Sequence, residues 1–219
     1  MMDLKQHHES GPNLTRQVEP HAHSAIITED NQFEIFACLG IDELAVYRFD
    51  SQHSKFAPHT IVKTSPGAGP RHMVFHPSGG WLYVAIEIAS TVTVFEHDLA
   101  LVKSSQKNLY HTMPVLACES LVADIHIDSR GQYLYASPRG HNSGFISIAE
   151  RDGALKLQGH SSCGGVWPRN FSSALSGRFV LVANQYSDEE CVLPLNMDGG
   201  LGFPVKQKPI AGAACVKFT

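Results

Sequence analysis

Residues 72–85 read His72-Met73-Val74-Phe75-His76-Pro77-Ser78-Gly79-Gly80-Trp81-Leu82-Tyr83-Val84-Ala85. Two runs rich in β-branched and aromatic residues flank a Pro-Ser-Gly-Gly turn, which is the pattern of a β-hairpin. The unit recurs. Phe33 in DNQFEIFA, Trp81 in SGGWLYVA, Tyr133 in RGQYLYAS and Phe179 in SGRFVLVA lie 48, 52 and 46 residues apart. Each anchor is preceded by a short strand-like run (HSAIIT, HMVFHP, DIHIDS, NFSSAL) and followed by another (ELAVYRFD, STVTVFEHD, GFISIAERDG, ECVLPLNMDGG). Four strands per repeat at this period define blades of a β-propeller, so the expected class is all-β. The expected units are a lead-in over 1–19 and blades at about 20–66, 67–120, 121–165 and 166–204, with 205–219 opening a further blade as the strand AGAACVKFT. The stretch from Leu99 to Val122 reads as a long surface loop within the second repeat.

The chain has 219 residues, 43% of them hydrophobic, which is enough for one sizeable core. Its formal net charge is −4 and its basic residues do not cluster, which argues against nucleic acid as a partner. No stretch approaches the roughly 18 apolar residues of a membrane span. The polar opening MMDLKQHHESG lacks the apolar segment of a secretory signal. The cysteines Cys38, Cys118, Cys163, Cys191 and Cys215 are scattered, with no C-x-x-C pair. They suit reduced thiols in a cytoplasmic protein better than a disulfide framework or a zinc site.

Aligning the repeats on their anchors puts equivalent positions in register without any homologue. Ten residues before the anchor stand His23, Arg71, Ala123 and Arg169; six after it stand Leu39, Glu87, Arg139 and Gln185. The inner strand of each blade lines the central channel, so residues at one register form rings around it. Arginines there offer bidentate donors to a carboxylate or phosphate. A His and a Glu beside them can move protons. A water-filled channel of mutually satisfied polar groups is the alternative. His21 and His23 are expected on one strand face, and His126 on another strand. No G-x-S-x-G elbow is present, and Gly67-Ala68-Gly69-Pro70 leads into a strand, so it is no phosphate loop.

Beyond the repeat, the segments SGPNLTRQVEPHAHS, GAGPRHMVFHPSGGWLYV, ADIHIDSRGQYLYAS, PRGHNS, WPRNF, VANQYSD and the ending CVKF resemble the lactonase family of seven-bladed propellers, from about residue 8 onward. That family includes propeller-type 6-phosphogluconolactonases and a carboxy-muconate cyclase. The resemblance implies hydrolysis of a small anionic sugar lactone at the channel mouth, in the pentose phosphate route, with no metal or other cofactor. Residue by residue it points to His23, Arg71, Glu87 and Arg139 as catalytic. Arg71 and Arg139 would bind the anion and polarise the lactone carbonyl, and His23 or Glu87 would activate water. His21, His126, Arg169 and Gln185 are the candidates for substrate binding. Cyclase or lyase chemistry on a muconate-type lactone and a non-catalytic binding module are the competing readings.

The chain departs from the family pattern in two ways. Small polar residues usually precede the second ring; here Cys38, Ile86, Pro138 and Asn184 do, and neither Ile86 nor Pro138 can orient a ring residue by a side-chain hydrogen bond. The likeness also begins part-way through the seven-bladed pattern. About four blades and a terminal strand would leave apolar blade faces for a second copy to cover as a homodimer.

Overall fold

Each repeat turns back on itself through tight polar turns and closes into one four-stranded antiparallel sheet. A computed structural model describes residues 4–96, 106–111, 120–140, 144–151 and 154–218. The first sheet runs β1 (Ala22–Ile27), β2 (Phe33–Cys38), β3 (Glu43–Asp50) and β4 (Lys55–Lys63). The second holds β5 (Pro70–Phe75), β6 (Trp81–Ile86), β7 (Thr91–Glu96) and β8 (Gln106–His111). The third holds β9 (Leu121–Ile127), β10 (Tyr133–Arg139), β11 (Gly144–Arg151) and β12 (Ala154–Ser162). The fourth holds β13 (Pro168–Ser173), β14 (Phe179–Asn184), β15 (Glu189–Pro194) and β16 (Lys206–Pro209). These are propeller blades in sequential order, with β1, β5, β9 and β13 innermost.

The apolar runs after the anchor aromatics lack strand alternation because both of their faces are buried. In β6, Leu82, Val84 and Ile86 pack toward Phe33, Ile35 and Ala37 of blade one. Tyr83 and Ala85 of the same strand pack toward Leu134 and Ala136 of blade three. Tyr135 and Phe145 then meet Phe171, Val180 and Val182 of blade four. Sheets two, three and four are thus each a slab between two apolar layers, and the core is a series of such layers with no single centre.

Two sequence expectations need correction. The first part of the segment 205–219 completes the fourth blade. Lys206–Pro209 hydrogen-bonds along β15, from Val192↔Lys206 to Glu189↔Pro209, so the fourth blade runs past residue 204 to 209. An otherwise unpaired edge of β15 takes the nearest chain that can satisfy it. Beyond it no strand forms among the described residues; Ile210, Ala213 and Val216 lie instead on Leu181 and Ala183, the face of β14 turned away from blade three. The region Leu99–Val122 is not all loop either, since β8 runs through it, paired with β7, and Leu121 and Val122 open β9. Residues 97–105 and 112–119 of that region lie outside the described residues.

The lead-in is fixed to blade one by Gln17, which is fully buried and donates to the Leu39 carbonyl at 2.8 Å and to Asp42 Oδ1 at 2.7 Å. Asp42, in the left-handed region at φ 56°, also accepts the backbone N–H groups of Gly67 (2.7 Å) and Gly69 (2.8 Å). The Gly67-Ala68-Gly69 turn does cradle an anion, and that anion is the protein's own carboxylate. Gly67 and Gly69 both have positive φ (78° and 70°), which turns their N–H groups to one side.

Phe171 is fully buried in the layer between blades three and four. Phe171→Ala is expected to lose about 3–5 kcal/mol of folding stability. Urea unfolding reads this as a lower midpoint with an unchanged slope.

Candidate active site

The inner strands carry the same irregularity in every blade. Pairing slips by one residue between Ala22 and Ser24 in β1, between Pro70 and His72 in β5 and between Pro168 and Asn170 in β13. The extra residues are His23, Arg71 and Arg169. In blade three, Ala136 and Pro138 of β10 face Ile125 and Val122 of β9, so Ala123 and Asp124 share the bulge. A bulge re-aims the side chain it carries. It also breaks strand alternation, so the expected common face for His21 and His23 does not form. His21 is exposed and precedes β1, where its carbonyl accepts the Leu39 N–H at 2.9 Å.

Glu87 is the centre to which the ring residues converge. It follows β6 directly, and its N–H donates to the Gly69 carbonyl at 2.7 Å. Its side chain is buried, as are those of Arg71 and Arg139 (2% and 4% exposed). Arg71 Nε lies 2.7 Å and Arg139 Nη2 2.9 Å from Glu87 Oε2, and Arg16 of the lead-in pairs with Oε1. Arg71 also donates to the Ala123 carbonyl, and Arg139 Nε donates to the Leu121 carbonyl at 3.3 Å. Backbone carbonyls of blade three and the Glu87 carboxylate therefore orient the arginines. The residues before the second ring do other work: Ile86 belongs to the layer between blades one and two, and Asn184 donates to the Cys163 carbonyl at 3.1 Å.

Electrostatics follow from this crowding. Burial pushes the Arg71 guanidinium down to about 10, with Arg139 adding to the effect and Glu87 opposing it. Burial would raise Glu87, but Arg139, Arg71 and Arg16 outweigh it and hold the carboxyl below its usual range. His23 is pushed down to about 3 by burial, then by Arg71, His72 and Arg169, against the pull of Glu87. It is a neutral imidazole at pH 7. Its buried Nδ1 has no hydrogen-bond partner among the described residues. Arg71 Nε and Arg139 Nη2 are close enough to Glu87 to pair by charge, yet lack a well-angled hydrogen bond.

Around this centre, Arg169 Nη1 donates to Gln185 Oε1 at 3.3 Å. The Arg139 guanidinium lies 5.3 Å from the Trp167 ring centre, and Trp167 stacks on Tyr186 at 4.6 Å. Trp167 sits at φ 68°, a strained conformation for a large side chain, held by Gln185 N–H to its carbonyl at 3.0 Å. Thus His23, Arg71, Glu87, Arg139, Arg169 and Gln185 come together as the register implies.

His126 does not join them. Its Nε2 lies 3.3 Å from Asp124 Oδ2, and its ring packs on Phe171 at 4.6 Å. Asp124 is a second hub: His72 reaches Oδ1, Asn170 Nδ2 reaches Oδ2 at 2.5 Å, and the N–H groups of Ile125 and Phe171 donate at 2.9 and 3.2 Å. The His72 ring lies 5.3 Å from that of His23, which links the hub to the site. Sequence reasoning missed this set, although it was in register. Ser24, His72, Asp124 and Asn170 all stand nine residues before their anchors. Arg16 and Trp167 were also missed. Arg16 lies outside the repeats, and Trp167 stands two residues before a ring arginine.

These features define a lactonase-type propeller. The chain belongs to the lactonase family: the family model "Lactonase, 7-bladed beta-propeller" matches residues 2–218. It is 35% identical over 199 residues to a 6-phosphogluconolactonase of Formosa agariphila, covering 87% of this chain and 55% of that protein. A periplasmic gluconolactonase of Pseudomonas aeruginosa, PpgL, superposes with a TM-score of 0.91 at 28% identity, covering 97% of this chain and 60% of that one. A putative 6-phosphogluconolactonase of Bacteroides fragilis superposes at 0.89 and 27% identity, with 98% and 62% covered. The chain thus spans a little over half the length of such relatives.

Asp124 makes stability depend on acid. Burial would raise its carboxyl, but hydrogen bonds from His126 and His72 outweigh that and hold it far below the ordinary range. The stability it contributes is present above the unfolded carboxyl value of about 3.9 and drains as pH falls below it. Urea unfolding across pH should show that acid limb. Asp124→Asn is expected to flatten it and to lose about 3 kcal/mol at pH 7.

Proposed function

We propose that this chain hydrolyses the ring ester of an anionic sugar lactone of the 6-phosphogluconolactone kind. The observation that carries the reading is a neutral histidine with an unfilled buried nitrogen beside two buried arginines with incompletely satisfied donors. Ester hydrolysis needs those two elements, a proton acceptor for water and donors for the oxyanion.

Arg71 and Arg139 polarise the lactone carbonyl and stabilise the negative charge that develops on its oxygen. Glu87 holds both guanidinium groups in place from behind. His23 takes a proton from the attacking water and returns it to the departing ring oxygen. Its proton affinity is low because it is buried and because Arg71 and Arg169 lie close by. A bound anion and a developing oxyanion both raise that affinity, so the base strengthens as the reaction proceeds. Arg169 and Gln185 line the same site and bind the substrate. The gluconolactonase and 6-phosphogluconolactonase relatives support this substrate class.

The test is lactone opening by the purified chain, followed by pH-stat or by NMR of the product acid. The expected wild-type rate exceeds spontaneous opening, with Arg71→Ala slower by about 100-fold or more. A wild-type rate equal to the spontaneous one overturns the reading.

A further inference from the structure

We infer that Arg16 is the residue that selects a phosphorylated substrate, exchanging its Glu87 partner for the phosphate. The inference rests on the lactonase reading and adds a residue that neither ring contains. Arg71 and Arg139 are almost fully buried, each anchored by Glu87 and a backbone carbonyl. Arg16 differs. Its side chain is 49% exposed, and its ion pair with Glu87 Oε1 is its one side-chain contact among the described residues. An anion arriving from solvent meets Arg16 and the half-buried Arg169 before it meets the inner pair. Both lie within electrostatic reach of Arg139.

The placement of Arg16 is built. Its N–H donates to Asn13 Oδ1 at 3.0 Å, and the next residue is the fully buried Gln17, tied to Asp42 and the Leu39 carbonyl. Asp42 in turn holds the Gly67–Gly69 turn, whose Gly69 carbonyl fixes the Glu87 backbone. One buried carboxylate thus sets both the cation and its present partner.

Charge identifies the ligand. Arg16, Arg71 and Arg139 face Glu87, Arg169 lies near Arg71 and Arg139, and Asp124 stands behind Arg71. Even with Asp124 counted, two positive charges are left over. A carboxylate would neutralise one of them. A phosphate monoester, with close to two negative charges at pH 7, neutralises both. The pair is open to solvent on the Arg16 side, and Glu87 keeps Arg71 and Arg139 on Oε2 when Arg16 turns to a doubly charged group.

Kinetics on 6-phosphogluconolactone and on unphosphorylated gluconolactone test this. Arg16→Ala is expected to lower the preference for the phosphorylated lactone about tenfold, through KM and not kcat, with Arg16→Lys restoring part of it. Gln17→Ala, which frees the lead-in, should lower the preference in the same direction. A preference equal to wild type in Arg16→Ala overturns the inference. Calorimetry with glucitol 6-phosphate and glucitol decides it separately if neither lactone is opened. Wild type should bind the phosphate ester and Arg16→Ala should bind it about tenfold more weakly; equal binding by the two, or none by wild type, overturns it.

Discussion

The site depends on a single buried carboxylate. Glu87 shares one oxygen between Arg71 of its own blade and Arg139 of the next, and gives the other to Arg16 of the lead-in. Removed from this arrangement, the two inner guanidinium groups would face each other in a dry place, which is costly. With it, they are fixed at the junction of two blades. Blade packing brings the groups together, and Glu87 makes their proximity tolerable.

Two other carboxylates extend the same device. Asp42 joins the lead-in, blade one and the turn into blade two; Asp124 joins blades two, three and four through His72, Asn170 and the Phe171 N–H. Each accepts several donors from neighbouring repeats. The apolar layers between blades are non-directional and allow sliding. Carboxylates with specific donors on both sides fix the register of one blade against the next, and so fix where each bulged residue points.

The repeat made the fold legible because anchor aromatics and turn glycines recur at nearly constant spacing. The ring positions followed from register alone, and Arg71, Glu87, Arg139, Arg169 and His23 do converge. The β-bulge explains both this success and the failure at His21. It presents the ring residue inward, which register captures, but it destroys the alternation that placed His21 beside His23. Arg16 was not legible because it lies in a segment with no repeat counterpart, held by side-chain hydrogen bonds of Gln17 that carry no periodic signal. The edge strand Lys206–Pro209 was missed for a similar reason. Its composition, Lys-Gln-Lys-Pro, is that of an exposed edge and shows no hydrophobic pattern.

The polar centre is costly for the fold. Burial and mutual repulsion hold Arg71 at about 10 and keep His23 neutral, and both shifts record free energy spent in keeping those groups together without a ligand. The layers of Val, Leu, Ile and aromatic residues between the sheets offset that cost. In the proposed function an anion relieves that repulsion, so charges that are costly to the fold strengthen the complex. Sites that store unfavourable energy in this way bind most tightly the species that removes most of it. For the proposed lactone opening, that species is the one with the most negative charge near Arg71 and Arg139, the tetrahedral oxyanion and not the neutral carbonyl. In that proposal, the arrangement that favours an anionic substrate is also the one that favours the transition state over the bound ground state.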